Sequence, residues 1–141
     1  MMGAVRVALG SDQESPLVPA LRAVLAELGH ELVEPVPVGS PWPDVGRAVG
    51  ASVADGDADA GIVCCWTGTG VSIAANKVPG IRAALCADAE TAAGARRWND
   101  ANVLALSNRA TTPAVAGEVV RAFLATTQVD PDEAANIARL G

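Results

Sequence analysis

The sequence predicts an α/β protein, a three-layer αβα sandwich around a Rossmann-like, five-stranded parallel sheet. Short apolar runs alternate five times with segments of helical periodicity along the chain. The apolar runs are continuous rather than alternating in polarity, as is typical of strands that helices cover on both faces. The length of 141 residues suits one domain with one core. We therefore expect a single domain over residues 1–141.

The chain begins with a strand and an amphipathic helix. Residues 5–9 form a β-branched run that Gly10 stops. A helix follows, because Ser15 can serve as its N-cap with Pro16 in the first helical position. Its apolar residues recur at a spacing of about 3.6 as far as Gly29, which ends the helix.

The next elements are a strand, a helix and a further strand. Residues 31–36 predict the second strand, which ends in a loop rich in Pro, Gly and Ser through Pro43. Val45 and Val49 belong to a second helix that glycines weaken. Residues 59–64 predict the third strand.

The second half of the chain continues the alternation. Its predicted elements are a helix from Ile73, a strand at 81–86, a helix capped by Asp88 and running through Arg97, a strand at 103–106, a helix opened by Pro113 and a short helix at about 130–140. Ligands of such sheets bind at the carboxyl ends of the strands. We therefore expect the site where the loops 10–13, 38–44, 65–70, 87–88 and 107–109 meet.

Composition excludes several classes of protein. A net charge of −6 without a Lys/Arg cluster argues against a nucleic-acid partner. No apolar run approaches the roughly 18 residues of a membrane span, and the N-terminus enters a strand without room for a signal peptide. Three cysteines, two of them adjacent, do not suggest a disulfide framework, so we expect a reducing cytoplasm. No metal-ligand spacing occurs, and we predict no metal and no cofactor.

The stretch from Cys64 to Ser72 carries the strongest chemical signal. A strand, a loop with glycines and threonines, and then a helix can hold an anion on backbone N–H groups. We predict that the Cys65 thiol is a catalytic base and that Gly68, Thr69 and Gly70 hold the charge its chemistry creates. The alternative is that these cysteines are small buried residues that finish a strand, which we prefer for Cys64.

Several stretches together identify a family. They are residues 8–12, 28–31, 43–44, 65–70, 72–86 and 99–106, with Arg109. In these stretches the sequence resembles the ribose-5-phosphate isomerase B family, also called the RpiB/LacAB sugar-phosphate isomerases. The run 72–86 is the most specific part, and the stretches cover most of the chain in order.

The resemblance implies a cofactor-independent aldose–ketose isomerisation through an enediolate. Cys65 would move a proton between C2 and C1, and the loop from Thr67 to Gly70 would stabilise the oxyanion. It also implies a homodimer or tetramer with sites shared between subunits, in which the C-terminal helix reaches a partner. The remaining candidate site residues are Asp12, which would hold a substrate hydroxyl, and the substrate-binding residues Ser11, Gln13, Trp42, Trp66, Trp98, Asn99 and Arg109. Since no histidine is expected at the site, ring opening is left to Asp12 or to water, or the substrate arrives already open-chain.

The sequence departs from the family at the substrate-binding positions. Gln13 stands where the family usually has a histidine, Trp66 where it has a glycine, and Trp98 where a histidine opens the ring. The tail 130–139 has a single basic residue, so of the family's phosphate ligands only Arg109 is recognisable.

Three functions remain open at this stage. One is isomerisation of ribose 5-phosphate, and another is isomerisation or epimerisation of a different or non-phosphorylated sugar. The third is a non-catalytic subunit with a drifted site. The tryptophans, which we place in loops at the ligand end of the sheet, favour a reshaped pocket, although Trp42 can also be a loop anchor. The only histidine, His30, is expected in the turn after the first helix, far from the site.

Overall fold

Five parallel strands form one sheet in the order β2-β1-β3-β5-β4 in the computed structural model, which describes residues 3–141. The elements are β1 (Arg6–Ser11), α1 (Leu17–Glu27), β2 (Glu31–Val33), α2 (Trp42–Ala54), β3 (Ala60–Cys65), α3 (Thr69–Asn76), β4 (Ala83–Leu85), α4 (Ala89–Asn99), β5 (Val103–Ser107), α5 (Pro113–Ala125), a 3-10 turn (Pro131–Glu133) and α6 (Ala134–Ala138). The predicted fold class is confirmed.

The helices cover both faces of the sheet and create two apolar cores. Helices α1, α4 and α5 pack on one face through large side chains, among them Leu21, Phe123 and Leu104 of β5. Helices α2 and α3 pack on the other face, whose core consists mainly of valine and alanine. Successive strand residues point to opposite faces, so Cys64 lies in the first core and Cys65 in the second.

Glycine allows the thin second core to form. A Cβ atom on Gly46 of α2 would lie 2.5 Å from the Cβ of Ala74 and 2.8 Å from the carbonyl oxygen of Val71, both in α3. The sequence predicted that glycines would weaken this helix. In the folded chain the absent side chain instead permits close contact between α2 and α3.

All five strands differ in their bounds from the prediction. The first strand continues through Gly10, which was expected to stop it, as far as Ser11, and the fifth strand includes Ser107. The second strand stops at Val33 because Pro35, inside the predicted range, has no N–H group for the ladder. The fourth strand is limited to Ala83–Leu85, after the turn at Gly80, which has φ +86°. The third strand is shifted by one residue and includes Cys65 as its last member.

The helix starts also differ from the prediction. Helix α1 begins at Leu17, and the hydroxyl of Ser15 accepts a hydrogen bond from the Leu17 N–H at 3.2 Å. Helix α3 begins at Thr69 rather than Ile73. The longest helices, α2 and α5, have 13 residues each. Across residues 3–141, none of the helices combines the length and hydropathy that crossing a bilayer requires.

Candidate active site

The central strands end together at one edge of the sheet. Ser11 of β1 is in register with Cys64, and Cys65 is in register with Ser107 of β5. Asp12 follows immediately, and its N–H donates to the carbonyl of Cys64 at 3.2 Å. The loops after β1, β3 and β5 therefore meet at the carboxyl edge, as the fold class predicts.

The three cysteines are free and differ in environment. Burial raises the pKa of Cys64 to about 12, with smaller contributions from Cys65 and Asp12. Burial also raises the pKa of Cys86 to about 11. Both remain neutral thiols at physiological pH. Cys65 is 5% exposed and is the cysteine that directly precedes the glycine-rich loop.

The chain leaves β3 in a turn that presents a row of backbone donors. Gly68 adopts a left-handed conformation with φ +80° and precedes the first residue of α3. The first bond of the helix runs from the Ser72 N–H to the Gly68 carbonyl at 3.3 Å. Within residues 3–141, the N–H groups of 66–71 donate to no hydrogen bond. We call these six N–H groups the cradle, and their density at a helix N-terminus suits an anion.

Two hydroxyl groups lie beside the cradle. The Oγ1 atoms of Thr67 and Thr69 are 2.8 Å apart, so one hydroxyl donates to the other. The accepting hydroxyl keeps its own hydrogen for another partner. Both threonines are exposed, and the pair can therefore donate to a bound oxygen.

Asp12 has the most unusual carboxylate of the site. Its Oδ1 atom is buried and accepts no hydrogen bond from the described residues. Burial raises the pKa of Asp12, and a backbone hydrogen bond offsets part of that shift. A carboxyl group that holds its proton more strongly than usual is suited to proton transfer.

The neighbours of Asp12 face in different directions. Ser11 is only 1% exposed, and its hydroxyl donates to the carbonyl of Gln13 at 2.7 Å. Its side chain therefore lies behind the loop, in contrast to the substrate-facing position expected for it. The amide of Gln13 is partly exposed and forms no hydrogen bond within the described part of the chain.

Trp66 and Arg109 lie close to each other across the edge. The Arg109 N–H donates to the carbonyl of Trp66 at 3.0 Å, and the Ser107 hydroxyl donates to the same carbonyl at 2.9 Å. The Trp66 side chain is 55% exposed. The guanidinium of Arg109 forms no ion pair within residues 3–141.

Trp42 belongs to the site but not to a loop. It is the first residue of α2, and a Cβ atom on Gly70 would lie 2.9 Å from its Cε3 atom. The indole therefore covers the first turn of α3 and forms one wall beside the cradle.

Trp98 and Asn99 lie elsewhere, which corrects the expectation that all three tryptophans occupy loops at the ligand end. Both belong to the last turn of α4, and the indole of Trp98 folds over Gly94. Helix α4 runs back toward the amino edge, where the Asp100 carbonyl accepts from the guanidinium of Arg82 at 2.6 Å. Within one chain, the other predicted site residues therefore lie together, and Trp98 and Asn99 lie apart from them.

The sequence placed Ser107 and Asn108 in a loop of the expected site but gave neither residue a role. The Asn108 N–H donates to the Cys65 carbonyl at 2.9 Å, next to the two bonds that hold the Trp66 carbonyl. The available signal was two polar residues directly after a fully apolar strand, opposite the cysteine loop.

The chain is similar in sequence to a known family of isomerases. The family model of the Ribose/Galactose Isomerase family (LacAB_rpiB) matches residues 7–140. Ribose-5-phosphate isomerase B of Escherichia coli is 37% identical over 123 residues, which cover 84% of this chain and 83% of that protein. D-erythrulose-4-phosphate isomerase of Pectobacterium atrosepticum is 45% identical over 83 residues, or 59% of this chain and 55% of that protein.

A solved structure extends the similarity to nearly the whole chain. The ribose 5-phosphate isomerase structure from Thermotoga maritima superposes with a TM-score of 0.91 at 33% identity and covers 98% of both chains. By sequence, in contrast, the chain spans little more than half the length of some curated relatives of higher identity.

Proposed function

Because the chain belongs to the ribose/galactose isomerase family, we propose that it interconverts an aldose and a ketose sugar phosphate without a cofactor. The observation that carries this proposal is the position of Cys65 at the end of β3, directly before a cradle of unbonded N–H groups. A base and an anion-binding turn are the two parts that enolisation next to a carbonyl requires.

In the proposed reaction, Cys65 as thiolate removes the C2 proton of an open-chain aldose. The C2–H electron pair becomes the C1–C2 double bond of the enediolate, and negative charge develops on O1. The cradle and the hydroxyl pair of Thr67 and Thr69 stabilise that oxygen through hydrogen bonds that cost no reorganisation. Cys65 returns the proton to C1, while the O2 proton moves to O1, so the product is an isomer and no redox partner is needed.

Asp12 is proposed to open the cyclic sugar. Ring opening moves a proton from the anomeric hydroxyl to the ring oxygen, and a carboxyl group with a raised pKa can carry it. The structural reason to prefer Asp12 is that His30, the only histidine, lies on the amino side, where its Nδ1 accepts from the Val5 N–H at 3.1 Å.

Ribose 5-phosphate is the first substrate to test, with Arg109 and the cradle as candidate phosphate ligands. A second candidate function is isomerisation or epimerisation of another sugar, with or without a phosphate. The observation that favours it is the shape of the site, since exposed Trp66 and Trp42 border the cradle and the exposed tail offers little positive charge. The relatives also differ in substrate, because their names give ribose 5-phosphate and D-erythrulose 4-phosphate.

We further propose a homodimer or tetramer, in the cytoplasm, in which Trp98 and Asn99 complete the site of a second copy. Support comes from the position of Trp98 and Asn99, which lie beside β4 and away from the cradle. Further support comes from exposed apolar side chains on several elements, among them Trp98 (48% exposed) and Leu85. These residues also line a groove along β4 with Glu90.

The test uses the purified full chain with EDTA present and a panel of free and phosphorylated sugars in D₂O. The proposal predicts interconversion of at least one aldose–ketose pair with deuterium incorporated next to the carbonyl. Exchange into a phosphorylated pentose alone supports ribose 5-phosphate, and exchange into free sugars or epimers supports the second candidate. No exchange into any sugar contradicts the proposed function and favours a non-catalytic subunit.

A further inference from the structure

Asn108 connects the two loops that carry the proposed proton-transfer groups. Its backbone N–H donates to the carbonyl of Cys65 at 2.9 Å. Its side chain turns toward the loop after β1, where Nδ2 donates to the hydroxyl of Ser11 at 3.3 Å. Its Oδ1 accepts from the hydroxyl of Ser15 at 2.8 Å. A single residue therefore bridges the segment on both sides of Asp12 and the strand end at Cys65.

The bridge continues through Ser11 to the residues that flank Asp12. The Ser11 hydroxyl donates to the Gln13 carbonyl at 2.7 Å and accepts from the Gln13 N–H at 3.4 Å. The backbone turn around Asp12 is thus closed by the same oxygen that Asn108 contacts. Each hydroxyl in this network can donate one hydrogen bond, and each has an acceptor for it, so no hydroxyl donor in the network is left unpaired.

The same connection sets the direction of the cradle. The carbonyls of Cys65 and Trp66 both point toward the turn after β5, where Asn108, Arg109 and Ser107 bind them. In a planar trans peptide the following N–H points the opposite way. The N–H groups of Trp66 and Thr67 are therefore directed away from β5, on the side where they remain unbonded.

From these contacts we propose that Asn108 is a positioning residue that holds the Asp12 loop and the Cys65 strand end at a fixed separation. The inference rests on the proposed function and adds a residue to it. Asn108 acts through the Ser11 and Ser15 hydroxyls and through the Cys65 carbonyl, rather than on the reacting atoms. Small displacements of reacting groups lower the rate far more than they lower substrate binding.

The experiment compares Asn108→Ala with wild type on the sugar that wild type isomerises best. The substitution removes both side-chain hydrogen bonds and keeps the backbone bond to Cys65. We expect kcat to fall about tenfold to a hundredfold, because misplacement of about 1 Å can cost a hundredfold. We expect KM to change by less than about threefold, because the lost alignment matters mainly in the transition state.

Thr112→Ala is the matched control. The Thr112 hydroxyl caps α5 in the same connection by accepting from the Val115 N–H at 3.2 Å, and it touches neither Asp12 nor Cys65 in the network. Thr112→Ala removes this cap from the segment between β5 and α5 but leaves the hydrogen bonds of Asn108 in place. We therefore expect kcat and KM at the wild-type values. If both variants lose kcat equally, Asn108 has only a structural role and the inference is overturned.

Ser15→Ala provides a second route if Asn108→Ala does not fold. It removes one end of the bridge, so kcat falls with KM unchanged, and wild-type kcat in Ser15→Ala overturns the inference. Where Asn108→Ala folds, its combination with Ser15→Ala produces no further loss, and full additivity of the two effects overturns the inference. A wild-type protein that isomerises no sugar instead overturns the proposed function, and this inference with it.

Discussion

Two carboxylates at opposite edges of the sheet have opposite surroundings. Asp59 precedes β3 at the amino edge, where the N–H and the guanidinium of Arg6 donate to its oxygens at 2.8 and 3.3 Å. These bonds hold the pKa of Asp59 below its usual value. Asp12 follows β1 at the carboxyl edge, where one carboxylate oxygen is buried without a hydrogen-bond partner among residues 3–141 and burial raises the pKa of the group.

The backbone repeats this contrast. At the amino edge, the side chain of Asn102 accepts from the Arg82 N–H and donates to the Gly80 carbonyl. At the carboxyl edge, the consecutive N–H groups of the cradle have no acceptor in the described part of the chain. The first N–H groups of any helix lack an acceptor within the helix, and Trp66, Thr67 and Thr69 are exposed, so these donors are open to water or to a bound anion. Hydrogen bonds between described residues hold the amino edge, whereas the carboxyl edge keeps donors free for the proposed ligand.

The largest effect expected from a change in the cradle itself comes from Gly68→Ala compared with Gly56→Ala. Both glycines have φ near +80°, so each alanine costs about 1–2 kcal/mol of stability. A Cβ atom on Gly56 meets nothing within 4 Å, but on Gly68 it would lie 3.0 Å from the Leu106 carbonyl oxygen. Because that clash displaces the cradle, we expect kcat to fall about a hundredfold or more only in Gly68→Ala.

Steady-state kinetics and urea unfolding of the two variants check this prediction together. The clash with Leu106 adds to the loss of stability in Gly68→Ala, so the contrast between the edges is supported when both variants remain folded under the assay conditions and only Gly68→Ala loses kcat. Equal kcat in the two variants would show that the cradle has no part in catalysis.

The next effect concerns stability and has opposite signs at the two edges. The pKa of Asp12 in the folded chain lies above its usual value of 3.8. Between these two pKa values the unfolded chain loses the proton more readily than the folded chain, so the stability of the fold decreases as pH rises through this interval. Asp12→Asn cannot ionise and should therefore melt at a higher temperature than wild type at pH 7, by a few degrees, while activity falls. The gain in melting temperature should disappear below pH 3.8, where the Asp12 carboxyl of the wild type is protonated and neutral like the amide of the variant.

Asp59→Asn is the counterpart. The pKa of Asp59 in the folded chain lies below 3.8, so its carboxylate stabilises the fold above that pH and the contribution is lost as pH falls through the folded value. Asp59→Asn should melt below wild type at pH 7 and retain kcat. Melting curves from pH 3 to 8 measure both variants, and shifts of the same sign at pH 7 would refute the assignment of the edges.

The smallest effect is expected for Thr67→Val, which removes one hydroxyl of the pair beside the cradle. Because the backbone donors remain, we expect kcat to fall by less than about tenfold. Thr127→Val, in the exposed loop after α5, is the control and should behave as wild type. A loss in Thr67→Val as large as that in Gly68→Ala would assign the oxyanion contact to the hydroxyl instead of the backbone.

Local sequence patterns could predict the elements that lie near Cys65. The apolar run before Cys65 and the glycines after it determine a strand, a turn and a helix within about ten residues, so the prediction needed no distant contact. The period of two would also have predicted the burial of Ser11, because Ser11 alternates with Gly10 and shares a face with Leu9. The family resemblance alone suggested a substrate-facing role for it.

Contacts between distant residues could not be predicted in this way. Ser11 and Asn108 are 97 positions apart, and no local pattern indicates that their side chains meet. Trp98 and Asn99 were misplaced for a different reason, since helix α4 continues beyond Arg97 and takes both residues to the amino side.

The rates of Cys65→Ala and Cys64→Ala test the central claim most directly. The two residues are adjacent and carry the same change, but only Cys65 lies on the face of α2 and α3, before the cradle. We predict that solvent deuterium exchange into the preferred sugar falls at least about a thousandfold in Cys65→Ala, the scale expected for loss of a catalytic base. Cys64→Ala should exchange at nearly the wild-type rate, and equal rates in the two variants would contradict the assignment of Cys65 as the base.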